Sequence, residues 1–282
     1  MASIAAGHGN NFMDSPTARS IYRRDLFRGK VYIVTGGGTG IGKQIVQELL
    51  LLGACVAIGS RNIEKLETAG RELAGAGFNA MESQAKRLTD LGNLSVSQRL
   101  LAKELNIRKE EHVTSFVESV LSAFGRIDGL VNNGGGQFIS PAESISKRGF
   151  SAVVETNLIG TFLMCKECYS QWMSEHGGSI VSIVLDLNTG FPGFAHSGAS
   201  RAGVISLTQT LAAEWAPSGV RINAIAPGII YSKSAMANYG DAADVLLPEI
   251  VKALPSNRLG TVEETSSAVV FLLSEGASYV TA

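Results

Sequence analysis

Between residues 35 and 42 the chain reads TGGGTGIG, with the apolar run VYIVT before Gly36 and an amphipathic stretch after Gly42. Thr35, Gly36, Gly40 and Gly42 fall in the spacing T-G-x-x-x-G-x-G at a strand-to-helix junction. Glycines there let the backbone turn tightly and approach a pyrophosphate, which is held by free N–H groups at the positive end of the following helix. That helix is expected to begin near Ile41, so Gly36, Thr39, Gly40, Ile41 and Gly42 are candidate cofactor-binding residues. A glycine triplet alone is weak, and its strand and helix context carries the reading.

The second apolar run, CVAIGS, ends in Ser60 and Arg61, where an NAD-binding fold presents an acid to the ribose 2′-hydroxyl. A guanidinium in that place suits the extra phosphate of NADPH, which its planar fork of donors can grip. NADPH is therefore the expected cofactor, with Ser60 and Arg61 at its adenosine end. Cys165 and Cys168 form C-x-x-C inside a helical stretch, without the second pair that a structural zinc site requires, so no metal is expected. With Cys55 they make three cysteines, too few for a disulfide framework, and a reducing compartment fits.

Composition narrows the partners. Lysine and arginine total 24 against 25 aspartate and glutamate, which leaves no basic footprint for nucleic acid or an anionic membrane. The apolar runs are broken well before the ~18 residues that a membrane span needs. A small molecule is the expected partner.

The elements that must position these residues follow from the alternation of VYIVTG, GKQIVQELLLLG, CVAIGS and IEKLETAGRELAGAG, and later of GLVNNG, SIVSIV and RINAIAPG. Nearly unbroken apolar strands are buried on both faces, which implies a parallel sheet with helices on each side. The fold class is α/β, a doubly wound parallel sheet of Rossmann-like type, forming one domain over residues 30–282. Residues 1–29 have no periodic apolar face and are expected to be a flexible arm. Residues 78–105 interrupt the rhythm, because a third strand belongs there and no β-branched run appears, so an insertion is expected. At the other end the chain stops after an amphipathic helix, so a final edge strand is expected to be missing and RINAIAPG to be an open edge.

TGGGTGIG, NNGGG at 132–136, ETNLIGTF at 155–162 and RINAIAPG at 221–228 together resemble the short-chain dehydrogenase/reductase superfamily over most of residues 30–282. The resemblance implies that Asn133 and Gly134 lie against the cofactor and that Asn106 meets the adenine. It also implies that Pro227, Gly228 and Ile230 belong to a segment closing over the nicotinamide, and that Asn157 is catalytic. The superfamily's Tyr-x-x-x-Lys aligns with Ser197 and Arg201 in FAHSGASRAGVISLTQTLAAEW, and its carbonyl-holding serine with Val184 or Leu185. Carbonyl reduction needs a proton delivered to a developing alkoxide, which a phenol does and a serine does not. Hydride addition to an α,β-unsaturated thioester instead puts charge on an enolate, which hydrogen-bond donors can hold while carbon is protonated separately.

The strings LVNNGGGQFISPAESIS and GFPGFAHSGASRAGV are similar to the peroxisomal trans-2-enoyl-CoA reductases of that superfamily. The similarity implies NADPH-dependent reduction of the 2,3 double bond of trans-2-enoyl-CoA thioesters. Arg201 would hold the nicotinamide ribose, and Ser197 would donate to the thioester oxygen. Those reductases commonly carry a tyrosine where this chain has Ile205, and Tyr231 is a candidate substitute as proton donor. His196 and Asp186 are read as solvated or capping residues. A cofactor-binding protein without turnover and an ordinary ketoreductase are the alternatives. The chain ends in VTA rather than a peroxisomal tripeptide, so, taken as complete, it is expected in the cytoplasm despite its peroxisomal resemblance. Homo-oligomers typical of the superfamily are expected to be weakened without the edge strand.

Overall fold

Strand β1, Val31–Thr35, is buried at every position and lies at the centre of the sheet. The computed structural model describes residues 22–23, 25–74, 91–187, 190–232, 251–252 and 254–282. Around β1 are β2 (Cys55–Ser60), β3 (Leu100–Glu104), β4 (Gly129–Asn132), β5 (Gly178–Ile183) and β6 (Val220–Ile225). All pair in parallel, in the order β3-β2-β1-β4-β5-β6, which is the doubly wound topology expected from the apolar runs.

Side chains alternate across β1, so Val31 and Ile33 enter one core and Tyr32 and Val34 the other. Helix α1 (Gly40–Leu51) covers the second core with Ile45, Val46 and Leu49, joined by Val269 and Val270 of the C-terminal helix Val262–Leu273. Helix α2 (Ile63–Ala74) adds Leu66 to that face. The first core is covered by α3 (Glu110–Phe124), through Val113, Phe116, Val117 and Val120. Helices α4 (Lys147–Val154) and α5 (Gly160–Cys168) are joined by a π-helical turn, Glu155–Ile159, and α5 adds Leu163 and Met164. The long helix α6 (Ala195–Trp215) follows β5 and leads into β6, and the C-terminal helix Val262–Leu273 is α7. Cys165 and Cys168 lie on the buried side of α5, and burial pushes the Cys165 thiol up to about 12.

Three expectations change. The third strand does lie within 78–105, at Leu100–Glu104, where Val56, Ala57 and Ile58 of β2 pair with Leu100, Leu101 and Ala102. Leucine and alanine serve as strand residues here because β2 supplies the ladder and both faces are buried, and such packing outweighs intrinsic propensity. Residues 78–90 of the expected insertion lie outside the described residues. The arm expected over 1–29 includes Phe27, which is buried against Tyr32 with ring centroids 4.9 Å apart and donates its N–H to Leu52 O at 2.9 Å. Residues 1–21 of that arm are also outside the described residues. The β6 edge, expected to be open, is partly met by residues 280–282: Ala282 N–H donates to Ile222 O at 2.9 Å and Asn223 Nδ2 to Val280 O at 2.9 Å.

Candidate active site

The turn between β1 and α1 forms as its spacing implies. Gly36 and Gly40 adopt φ of +66° and +52°, a region that favours glycine. A Cβ on Gly42 would collide with Asn133 Nδ2 and with the Gly36 carbonyl oxygen, so α1 can start this close to the turn only with glycine there. Thr39 caps α1 without a side-chain hydrogen bond, and no acid occupies the first turn, so the N–H groups around Gly40, Ile41 and Gly42 face an anion-binding end of the helix. The β4 turn is tied to this loop. Asn133 N–H and Gly134 N–H donate to Thr35 Oγ1 at 3.1 and 2.8 Å, and Asn133 Nδ2 donates to Thr35 O at 3.1 Å.

At the tip of β2, Arg61 is exposed beside the half-buried Ser60, as a group gripping an outer phosphate must be. Asn106 is half-buried in the loop after β3, its Oδ1 accepting from Arg108 N–H at 3.2 Å. The neighbouring Ile107 side chain reaches within 3.5 Å of the space over Gly134.

Three of the catalytic candidates, Asn157, Ser197 and Arg201, converge on one strap, the exposed residues 135–138. Gly135, Gly136 and Gln137 each meet one of the three, and Phe138 meets His196. Arg201 Nη2 passes so close to the Gly135 Cα that any side chain at 135 would strike it. Gly136 donates its N–H to Asn157 Oδ1 at 2.9 Å and accepts from Asn157 Nδ2 at 3.1 Å. Gln137 Oε1 accepts from Ser197 Oγ at 2.7 Å, and the Phe138 ring meets the His196 ring nearly at right angles, with centroids 4.3 Å apart. Asn157 sits in the π-helical turn between α4 and α5 and is fully buried; it also donates to Ser200 Oγ at 3.2 Å. Ser197 and Arg201 are one turn apart on α6, which brings both side chains to the same side of the helix.

Arg201 Nη1 donates to Ile183 O, at the end of β5 just before Val184, and its Nε is buried without a partner among the described residues. Burial pulls the guanidinium down to about 10, so it remains a cation at neutral pH but is held there against a desolvation penalty. A poorly hydrated cation beside a row of donors is suited to stabilising negative charge that develops on a bound carbonyl oxygen.

The structure does not bring Tyr231 into this row. Its ring is 40% exposed, and it lines a cavity of about 800 Å³ with Thr39, Gly40, Lys43 and Lys65, a cavity whose wall includes none of Ser197, Arg201 and Asn157. Its backbone is fixed by Tyr231 N–H donating to Gly260 O at 2.8 Å, and Ile230 pairs with Gly260 in an isolated parallel bridge. Those pairings turn the segment from Pro227 and Gly228 toward α1 and α7 rather than toward Ser197. His196 meets the capping half of its expected role, Nδ1 accepting from Ser197 N–H at 2.8 Å near the start of α6, but it is fully buried rather than solvated. Asp186 is exposed. Sequence reasoning assigned no individual role to Gly136 and Gln137; their only signal was their place in the GGGQFIS string after the β4 turn.

The family described as Enoyl-(Acyl carrier protein) reductase matches residues 53–282. A peroxisomal 2,4-dienoyl-CoA reductase of Danio rerio is 37% identical over 264 residues, covering 93% of this chain and 81% of that protein. A probable 2,4-dienoyl-CoA reductase of Bacillus subtilis is 34% identical over 254 residues, covering 89% and 92%. Among solved structures, the citronellol catabolism dehydrogenase AtuB of Pseudomonas aeruginosa PAO1 is similar with a TM-score of 0.74 at 40% identity, covering 93% of this chain and 94% of that one. ElxO, solved with NADP bound, gives 0.77 at 28% identity, covering 89% and 94%. Sheet order, glycine turn and matched span agree, and the chain belongs to the short-chain dehydrogenase/reductase family of oxidoreductases.

Proposed function

We propose that the protein uses NADPH to reduce a carbon–carbon double bond conjugated with the thioester carbonyl of an acyl-CoA. The observation that carries the reading is the row at the strap: the buried cation of Arg201 and the hydroxyl of Ser197 stand where a phenol and lysine would serve carbonyl reduction. Such a row holds charge on an oxygen but delivers no proton to it. The residues suited to the cofactor are the uncapped start of α1 for its pyrophosphate, Arg61 for its 2′-phosphate and Arg201 for its nicotinamide ribose. Bound there, NADPH supplies the hydride. Ser197 Oγ exchanges Gln137 for the thioester oxygen and steadies the enolate, while Asn157 fixes the strap through its two hydrogen bonds to Gly136. Tyr231 as proton donor is not part of this reading, and water protonates the α-carbon.

Two substrates meet the description. The strings around the β4 turn and α6 favour a trans-2-enoyl-CoA, and the names of the Danio rerio and Bacillus subtilis relatives favour a 2,4-dienoyl-CoA. The word peroxisomal in the names of several relatives supports the peroxisome as the compartment within the same proposal. A steady-state assay of NADPH oxidation with trans-2-enoyl-CoA, 2,4-dienoyl-CoA and a ketone tests it. Turnover of one or both thioesters and not of the ketone is expected. Ketone reduction, or NADPH binding with no turnover of any of them, overturns it.

A further inference from the structure

His196 occupies the second position of α6, immediately before Ser197, and its ring is 0% exposed. Its Nδ1 accepts the Ser197 N–H, which satisfies one of the donors that a helix start leaves without an intrahelical partner. With Nδ1 engaged as an acceptor, the hydrogen of the imidazole is on Nε2. That Nε2 is buried and has no hydrogen-bond partner among the described residues. A buried donor without a partner is destabilising, and native structures keep such groups rarely and for cause.

What surrounds the ring identifies the cause. His196 and Ser197 lie side by side behind consecutive strap residues, with Phe138 across the His196 ring and Gln137 on Ser197 Oγ. Phe138, whose ring packs edge-on against the imidazole, is itself 43% exposed. We propose that His196 is a catalytic residue, whose Nε2–H, uncovered when Phe138 turns aside, donates a second hydrogen bond to the thioester oxygen beside Ser197 Oγ. The inference rests on the enoyl thioester reading above. As hydride bonds to the far carbon of the conjugated system, the π electrons shift to make an enolate whose charge is on that oxygen. His196 donates to the oxygen and keeps its proton. The enolate electrons then take a proton from water at the α-carbon, and the carbonyl re-forms.

Two substitutions separate this from a purely structural role. In His196→Asn the amide reaches the place of Nδ1 and can hold Ser197 N–H, but nothing replaces Nε2–H. In His196→Gln the amide nitrogen reaches the place of Nε2, and the Nδ1 acceptor is lost. With the conjugated thioester that wild type turns over, His196→Asn is expected to lose about 100-fold or more in kcat, the usual effect of removing an oxyanion donor. NADPH affinity should be unchanged, and His196→Gln should remain within about tenfold of wild type. The opposite order, or full activity in His196→Asn, overturns the proposal and leaves His196 only the holding of the Ser197 backbone. A measurement independent of variant folding is ¹⁵N NMR of labelled histidine in the wild-type chain. The proposal expects an Nε2–H tautomer whose resonance shifts on adding a saturated acyl-CoA with NADP, and an Nδ1–H tautomer or an unmoved resonance overturns it. Wild type that reduces neither thioester removes the functional reading and this proposal together. Active wild type with an equally active His196→Asn removes the proposal alone.

Discussion

Gly42→Ala puts the phosphate turn under direct test. The added Cβ would overlap Asn133 Nδ2 and the Gly36 carbonyl oxygen and come within 3.0 Å of the Gly36 carbonyl carbon. Two of these atoms are backbone, so the strain cannot be relieved by a side chain swinging away. Forced overpacking of this kind costs roughly 1–3 kcal/mol. Asn133 must also give up its donations to Thr35 O and Gly36 O, at 3.1 and 3.3 Å, each worth about 1 kcal/mol. Alanine's better helix propensity returns about 1 kcal/mol. The net destabilisation is roughly 2–4 kcal/mol, a fall in melting temperature of roughly 5–15 °C for a domain of this size. NADPH affinity should fall at least about tenfold, because the β1 and β4 turns can no longer lie together. Gly38→Ala is the control, since the nearest atom to its Cβ is 3.7 Å away and ordinary packing results. Thermal melts and NADPH titrations of both variants are the assay. Wild-type melting and binding in Gly42→Ala, or greater thermal damage from Gly38→Ala, would refute the packing argument.

Three further substitutions probe the site. Arg61→Ala should weaken NADPH by roughly 1.5–3 kcal/mol, the worth of a charged hydrogen bond, and leave NADH nearly unaffected, as fluorescence titration with both cofactors would report; equal losses contradict the 2′-phosphate role. Arg201→Met should abolish turnover yet melt higher than wild type at pH 7. Burial lowers the folded-state pKa of Arg201 to about 10, so its desolvation penalty is in full force below that pH and is relieved only above it, and at ~1.4 kcal/mol per pH unit the penalty is a few kcal/mol. A lower melting temperature at pH 7 would mean that the Ile183 hydrogen bond outweighs the desolvation. Ile205→Tyr, one turn beyond Arg201 on α6, should raise kcat if proton delivery limits the rate, and a solvent isotope effect on kcat that persists unchanged in the variant would show that its phenol takes no part.

Much of this site could be read in advance, for reasons that differ from residue to residue. The β1 and β2 strands are continuous apolar runs because both faces of a central parallel strand are covered, and that pattern does not depend on distant contacts. The glycines at 36, 40 and 42 and the pair Ser197 and Arg201 are local patterns, one set by turn geometry and the other by helical spacing. Leu100–Glu104 was hidden because its strand character comes from pairing with β2 rather than from its own residue types. Gln137 and His196 were hidden for a similar reason. Gln137 has meaning only through a hydroxyl 60 residues away, and His196 looks like any loop histidine until the ring of Phe138 closes over it. Tyr231 was misplaced because the Ile230 bridge to Gly260, which sends it toward α1, is a long-range pairing with no local signature.

The most direct measurement is the destination of the hydride. Purified protein would be given NADPH carrying deuterium at the transferred position, with trans-2-enoyl-CoA or 2,4-dienoyl-CoA in ordinary water, and the product read by mass spectrometry and NMR. Deuterium should appear at the carbon at the far end of the conjugated system, C3 of an enoyl or C5 of a dienoyl substrate, with a solvent proton at the α-carbon. Deuterium on a carbinol carbon when a ketone is supplied, with none entering either thioester, would contradict a site that steadies an enolate between Ser197 and Arg201.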